Sequence, residues 1–162
     1  MHDADFHLVA HSPLLHFETC VKIQNAVTKK LVLFDIDGTL LQALGAGIRG
    51  MNAAFGRLHG RPDALDDIAI AGRTDLSIVS DAFTKIGLPA ERASVVALRD
   101  AYFDHLGTEL ARPVDGFFGV LPGVPALLDH LERREDVAVG LLTGNFVRGA
   151  QVRQPAGPCP TV

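Results

Sequence analysis

Two aspartates, Asp35 and Asp37, stand at the end of the apolar run Leu31-Val32-Leu33-Phe34, with Gly38 and Thr39 directly after them. In an extended segment residues i and i+2 point the same way, so both carboxylates would face one pocket. Acids at the edge of an apolar core repel each other and resist desolvation, and such a conflict is where function is usually found. The pair suits phosphoryl transfer with a hard cation. Asp35 would attack phosphorus to form an aspartyl-phosphate, while Mg²⁺ offsets charge on nucleophile and phosphate. Asp37 would protonate the leaving oxygen and then take a proton from the hydrolytic water. Gly38 would permit a sharp turn and bring an N–H toward the phosphate, and Thr39 would tie that turn through its hydroxyl. A structural reading stands beside this one: Asp37-Gly38 is a turn dipeptide, and Asp35 could cap whatever follows. A calcium loop of the EF-hand kind is excluded, because its glycine belongs at the sixth position and its acid at the twelfth. Here Gly38 comes fourth and Ala46 stands twelfth.

A second group closes another apolar run, Val137-Ala138-Val139-Gly140-Leu141-Leu142. Thr143 would place a hydroxyl at the carboxyl end of a strand, and Gly144 and Asn145 would offer N–H groups at a helix start, an anion site. The alternative is a strand-to-helix turn with Thr143 or Asn145 as cap. A third candidate is Arg73 in Ala71-Gly72-Arg73-Thr74-Asp75. Its guanidinium, in a loop ahead of a helix, could hold a carboxylate or phosphate of the substrate. The alternative there is Thr74 or Asp75 as helix cap, with Arg73 solvated.

The string Phe34-Asp35-Ile36-Asp37-Gly38-Thr39-Leu40 resembles the first motif of the haloacid dehalogenase superfamily, whose members are mostly Mg²⁺-dependent phosphatases. Leu141-Leu142-Thr143-Gly144-Asn145 resembles its second motif. The resemblance implies Asp35 as nucleophile, Asp37 as acid and base, and Thr143 as a ligand of the transferring phosphoryl group. It also implies the Asp35 carboxylate and the Asp37 carbonyl on the metal. The dehalogenases proper lack the second aspartate, so Asp37 favours phosphate over carbon–halogen chemistry. Residues 71–75 look like a string in the caps of phosphoglycolate-phosphatase-like members.

The elements that must position these groups follow from periodicity. Each unbroken apolar run reads as a strand buried on both faces, as in a parallel sheet. Between the two runs, Leu41, Leu44, Ile48, Met51, Phe55 and Leu58 keep a helical rhythm that Gly60-Arg61-Pro62 ends. A second helix starts near Thr74-Asp75, with Leu76, Val79, Phe83 and Ile86 on one face. A third spans about residues 90–110, with Val95, Leu98, Tyr102, Leu106 and Leu110 inward. A crossover needs only about a dozen residues, so the excess reads as an inserted helical domain. It resembles the superfamily's α-helical cap, which would close over the site and exclude water. Gly45-Ala46-Gly47 and Val114-Asp115-Gly116 are the expected hinges. A fourth helix follows Leu121-Pro122-Gly123, with Val124, Leu127, Leu128 and Leu131 on one face.

Hydrophobic content of 48%, charge content of 21% and a net charge of −4 describe a globular protein with no general attraction to nucleic acid or anionic membrane. Cys20 and Cys159 have no zinc or redox spacing and fit a reducing cytosol. No run approaches the length of a membrane span. Residues 1–29 read as a weakly docked extension without chemistry; His7 and His11 lack a third metal ligand.

After Asn145 there is no Lys, Asp or Glu. The superfamily's third motif, a basic residue, and its fourth, a pair of acids, are therefore missing, and the expectation is a truncated or frameshifted chain. The expected fold is an incomplete Rossmann-like α/β core, residues 30–44 and 117–150, with a helical cap at 45–116 and an irregular tail at 151–162. The expected function is a cytoplasmic Mg²⁺-dependent phosphatase of small phosphorylated metabolites, weak or inactive in this form. A phosphomutase is one alternative, and a non-catalytic chain that self-associates through an exposed sheet edge is another.

Overall fold

The computed structural model describes residues 6–7, 21–23, 30–146 and 148. Its strands are β1 (Phe6–His7), β2 (Val21–Ile23), β3 (Lys30–Phe34), β4 (Leu41–Gln42), β5 (Gly119–Val120) and β6 (Val137–Leu141). Its helices are α1 (Ala46–His59), α2 (Asp75–Lys85), α3 (Arg92–Ala111) and α4 (Val124–Glu132). The chain divides into two units, Met1–Gln42 with Phe117–Thr143, and Ala43–Gly116 with Gly144–Val162.

The first unit is the α/β part expected from the two apolar runs. Strands β3 and β6 pair in parallel, from Lys30 opposite Val137 to Phe34 opposite Leu141. The sheet order is β1-β2-β6-β3, and β2 is antiparallel to both β6 and β1. The sheet is therefore mixed. Within residues 1–29, expected to be a weakly docked extension, β2 pairs with β6 and β1 pairs with β2. A strand without a neighbour leaves a row of N–H and C=O groups unmatched, and β2 satisfies some of those on β6. The His7 side chain and His11, weighed above as metal ligands, lie outside the described residues.

Burial on both faces does not hold for β3. Leu31 is 54% exposed and Leu33 39%. The two share one face of the strand, which is therefore left open, and β3 is also the last strand in its sheet, with β6 alone beside it among the described residues. Strand β6 does better, burying Ala138 and Gly140. Helix α4 forms where expected, started by Gly123 and carrying Pro125 in its first turn, but none of its residues is buried. Its apolar stripe stays half open, with Leu127 at 44%.

The second unit is helical and holds the core. Met51, Phe55, Ile78, Val79, Phe83, Leu98, Tyr102 and Leu106 form one buried cluster. Helices α1 and α3 approach closely at Gly50, where a Cβ would lie 3.2 Å from the Tyr102 ring. Phe55 and Phe83 meet edge to face at 5.1 Å, a favoured aromatic geometry. Helix α1 starts later than its apolar rhythm suggests. Leu41 lies in β4, paired with Val120, and Leu44 has φ +47°. Gly45, at φ +75°, is the N-cap. Of the first expected hinge only Gly45 lies outside a helix, since Ala46 and Gly47 are already buried in α1. Arg49 closes this end of the unit, donating to Glu109 Oε2 at 2.7 Å and also to the Leu44 carbonyl.

The described residues after Thr143 group with the helices. Phe146 packs against the helical core, 6.2 Å from the Tyr102 ring and 6.3 Å from Phe103. The Arg148 guanidinium lies 5.4 Å over Phe103, a cation–π contact. Residues 151–162 lie outside the described residues. No helix among the described residues is long and apolar enough to cross a membrane.

Candidate active site

Strand β3 delivers Asp35 to its carboxyl end. There the ladder continues one step beyond the strands, as the Leu142 N–H donates to the Phe34 carbonyl at 2.8 Å. Asp35 and the segment Leu142–Thr143 therefore leave adjacent parallel strands at the same end, the edge at which α/β sheets take ligands. Asp35 is exposed, and one carboxylate oxygen, Oδ1, accepts from the Ile36 N–H at 2.8 Å. Asp37 is also exposed, while Thr143 is buried. Between the acids, Ile36 turns its side chain inward and is almost fully buried. The exposure therefore alternates along the segment, with both aspartates open to solvent and Ile36 shut in between them.

The turn after the acids is built on one carbonyl. Ile36 O accepts from the N–H groups of Thr39, Leu40 and Leu41 at 3.3, 3.0 and 3.1 Å. Gly38 sits at φ +74° with no atom near its would-be Cβ. Glycine is thus favoured here by the left-handed backbone and not by space. One expectation needs correction: the Gly38 N–H does not reach out toward an anion. It donates to Leu41 O at 2.8 Å, because the turn needs that donor to close on itself. Thr39 ties the turn with its amide.

Arg73 also differs from the free guanidinium that the loop suggested. It pairs with Asp81 at 2.7 Å and donates to Ser77 O at 3.3 Å and Ala69 O at 3.1 Å. These partners brace the loop against α2. Thr74 is the N-cap, accepting from the Ser77 N–H at 3.2 Å, which bears out the capping alternative.

Gly144 and Asn145 follow Thr143 directly, within the helical unit. Gly144 runs tight against the loop before α2: a Cβ there would fall 2.6 Å from the Arg73 carbonyl oxygen and 2.9 Å from Thr74 Cα. Its carbonyl accepts from the Asp75 N–H at 2.7 Å, and the Asp75 carboxylate accepts from the Phe146 N–H at 2.8 Å. Asp75 was offered by the sequence only as an alternative to Thr74 for the helix cap. Its link to a turn 71 residues away leaves no local signal, because helix-start acids look alike whatever they bond.

The hard oxygen donors at Asp35 and Asp37 match what Mg²⁺ takes, since it binds through one or two carboxylates plus water and phosphate. Among the described residues no group of three or more His, Cys, Asp or Glu gathers to hold a metal.

A parallel strand pair with acids at one tip and a hydroxyl at the next defines an α/β protein whose candidate site lies at its strand ends. The model of the haloacid dehalogenase-like hydrolase family matches residues 32–151, and the chain belongs to that family. It is by family a hydrolase. No curated protein matches the chain.

Proposed function

We propose that this chain is a phosphomonoester hydrolase of the haloacid dehalogenase-like family that works through an aspartyl-phosphate on Asp35. The observation that carries the reading is the meeting of β3 and β6, which brings Asp35 and Thr143 to one end of adjacent strands. Asp35 is the nucleophile. Its exposure leaves the carboxylate open to an incoming phosphate ester, and the Ile36 N–H on Oδ1 fixes its orientation. Asp37, exposed two residues further on, donates a proton to the leaving oxygen and later accepts one from water. Thr143 supplies a hydroxyl to the phosphoryl oxygens. The Asp35 carboxylate and the Asp37 carbonyl would hold Mg²⁺, which when bound offsets the charge between carboxylate and phosphate. The substrate is a small phosphorylated metabolite, and the helical unit acts as a cap.

Assayed as 162 residues, the chain should turn over slowly. After Asn145 it offers only Arg148 and Arg153 as cations, and no acid. Negative charges then face one another with little relief, and electrostatic stabilisation is usually the largest catalytic contribution. A colorimetric phosphatase assay with Mg²⁺, run on the chain and on Asp35→Asn, tests both statements. Turnover barely above background that disappears in Asp35→Asn is expected. Robust turnover lost in the variant would overturn the slow-enzyme claim, and turnover indifferent to Asp35→Asn would overturn the site.

A second reading, self-association through β3, is favoured by the exposure of Leu31 and Leu33 on that terminal strand. Antiparallel pairing of residues 30–35 with their copy would set Lys30 opposite Asp35, joining opposite charges while extending the sheet. Light scattering over a range of concentrations tests it; a monomer at every concentration would end this reading.

A further inference from the structure

The phosphate reading leaves Asp75 without a task, yet it is one of the most enclosed charged side chains described, 7% exposed. A carboxylate is expensive to bury unless its oxygens are matched. Here Oδ2 accepts from the Phe146 N–H at 2.8 Å, while the main-chain N–H of the same residue donates to Gly144 O at 2.7 Å. Two bonds from one residue thus grip both ends of the stretch Gly144-Asn145-Phe146. The third side of the grip is steric. Any side chain at 144 would run into Arg73 O at 2.6 Å and Thr74 Cα at 2.9 Å, and these are backbone atoms that cannot swing aside.

That wall is itself braced. The Arg73 guanidinium is held by Asp81, Ser77 O and Ala69 O. The Ser77 hydroxyl donates to Thr74 O at 2.9 Å, and the Ser77 N–H donates to the Thr74 hydroxyl. Phe146, at the far end of the gripped stretch, packs with Tyr102 and Phe103. The turn following Thr143 is therefore fixed by the first residue of α2, one peptide bond from the hydroxyl assigned to phosphate.

We propose that Asp75 is a positioning residue for the anion-binding turn: it fixes the Gly144–Asn145 backbone that follows Thr143 in the chain, so phosphate affinity depends on an acceptor at position 75 and on glycine at 144. This rests on the phosphate reading of Thr143. Asp75 touches no substrate. Its effect passes through the turn.

The test uses the full chain with Mg²⁺ and inorganic phosphate as the probe, affinity being read by calorimetric titration and Phe146 amide protection by hydrogen exchange. Asp75→Ala should weaken phosphate binding about tenfold, the usual scale for removing a group that orients a ligand-binding one, and should expose the Phe146 amide. Asp75→Asn retains an acceptor oxygen and should recover most of both. Gly144→Ala should reproduce the Asp75→Ala loss without altering any carboxylate. Ile78→Val, which thins the core of α2 away from the grip, should lower the melting temperature and leave phosphate affinity within about twofold, as expected for a site it does not touch. Phosphate binding unchanged in Asp75→Ala, or weakened as much by Ile78→Val, would overturn the positioning role and leave the phosphate reading intact. A wild-type chain that binds no phosphate would overturn the phosphate reading and the positioning role with it.

Discussion

Phe55, Phe83, Leu98, Tyr102 and Leu106 in the helical unit are shut off from solvent, whereas Leu31, Leu33, Phe117, Phe118 and Leu127 in the sheet unit remain open. Both sets come from apolar stretches of similar strength. The difference lies in where each finds its cover. A helix with an apolar stripe needs one or two neighbours, and α1, α2 and α3 supply them within a single stretch of chain. A parallel strand needs a neighbour on each side and a layer on each face. Strand β3 has β6 on one side, and the described residues bring no strand to the other. The lesson is that local sequence can complete a helical core, while a sheet core is a sum over distant segments.

That contrast can be broken by substitution. The largest effect should come from Phe55→Ala, which empties an aromatic-sized space in the buried cluster and should destabilise by about 3–5 kcal/mol. The paired test is Leu33→Ala on β3, which should lose less than about 1 kcal/mol because the side chain is already half in water. Denaturant unfolding of both variants measures the gap. Equal losses would show that β3 is covered in solution. Gly38→Ala comes next, expected to be destabilising by about 1–2 kcal/mol, the strain of a left-handed backbone bearing a Cβ. Thr74→Ala removes the cap from α2 and should lower stability by about 1 kcal/mol, read as a lower melting temperature.

The smallest effect belongs to the sheet unit's surface. Arg134 holds the Asp136 carboxyl below its ordinary range, first through their hydrogen bond. A depressed carboxylate stabilises the fold above the ordinary range, and that contribution disappears as pH falls through the lowered value. Arg134→Ala should therefore be slightly less stable than the parent at neutral pH, with the difference closing in acid. A difference that widens below the carboxylate range would contradict this assignment.

Much of the helical unit was legible because its signals are local. The Leu98, Tyr102, Leu106 spacing and the Gly60 stop each lie within a few residues of what they determine. The placement of Asp35 and Thr143 just beyond two paired strands was legible because strand ends are local too. Three features were not. The apolar run of β3 read as buried on both faces, and only the lack of the later motifs, not the run itself, pointed to an exposed sheet edge. The start of α1 was obscured because Leu41 and Leu44 fit a helical rhythm while belonging to a strand and a left-handed turn. The partners of Asp75 and Arg73 are fixed by tertiary approach, so their roles emerged only with coordinates.

The central claim is that Asp35 carries the phosphoryl group. Beryllofluoride imitates that group on an aspartate carboxylate, and fluorine NMR of the chain with Mg²⁺ and beryllofluoride reads it directly. Bound-fluoride resonances present in the wild-type chain and lost in Asp35→Asn are predicted. The same resonances persisting in Asp35→Asn, or none in the wild type, would contradict the claim.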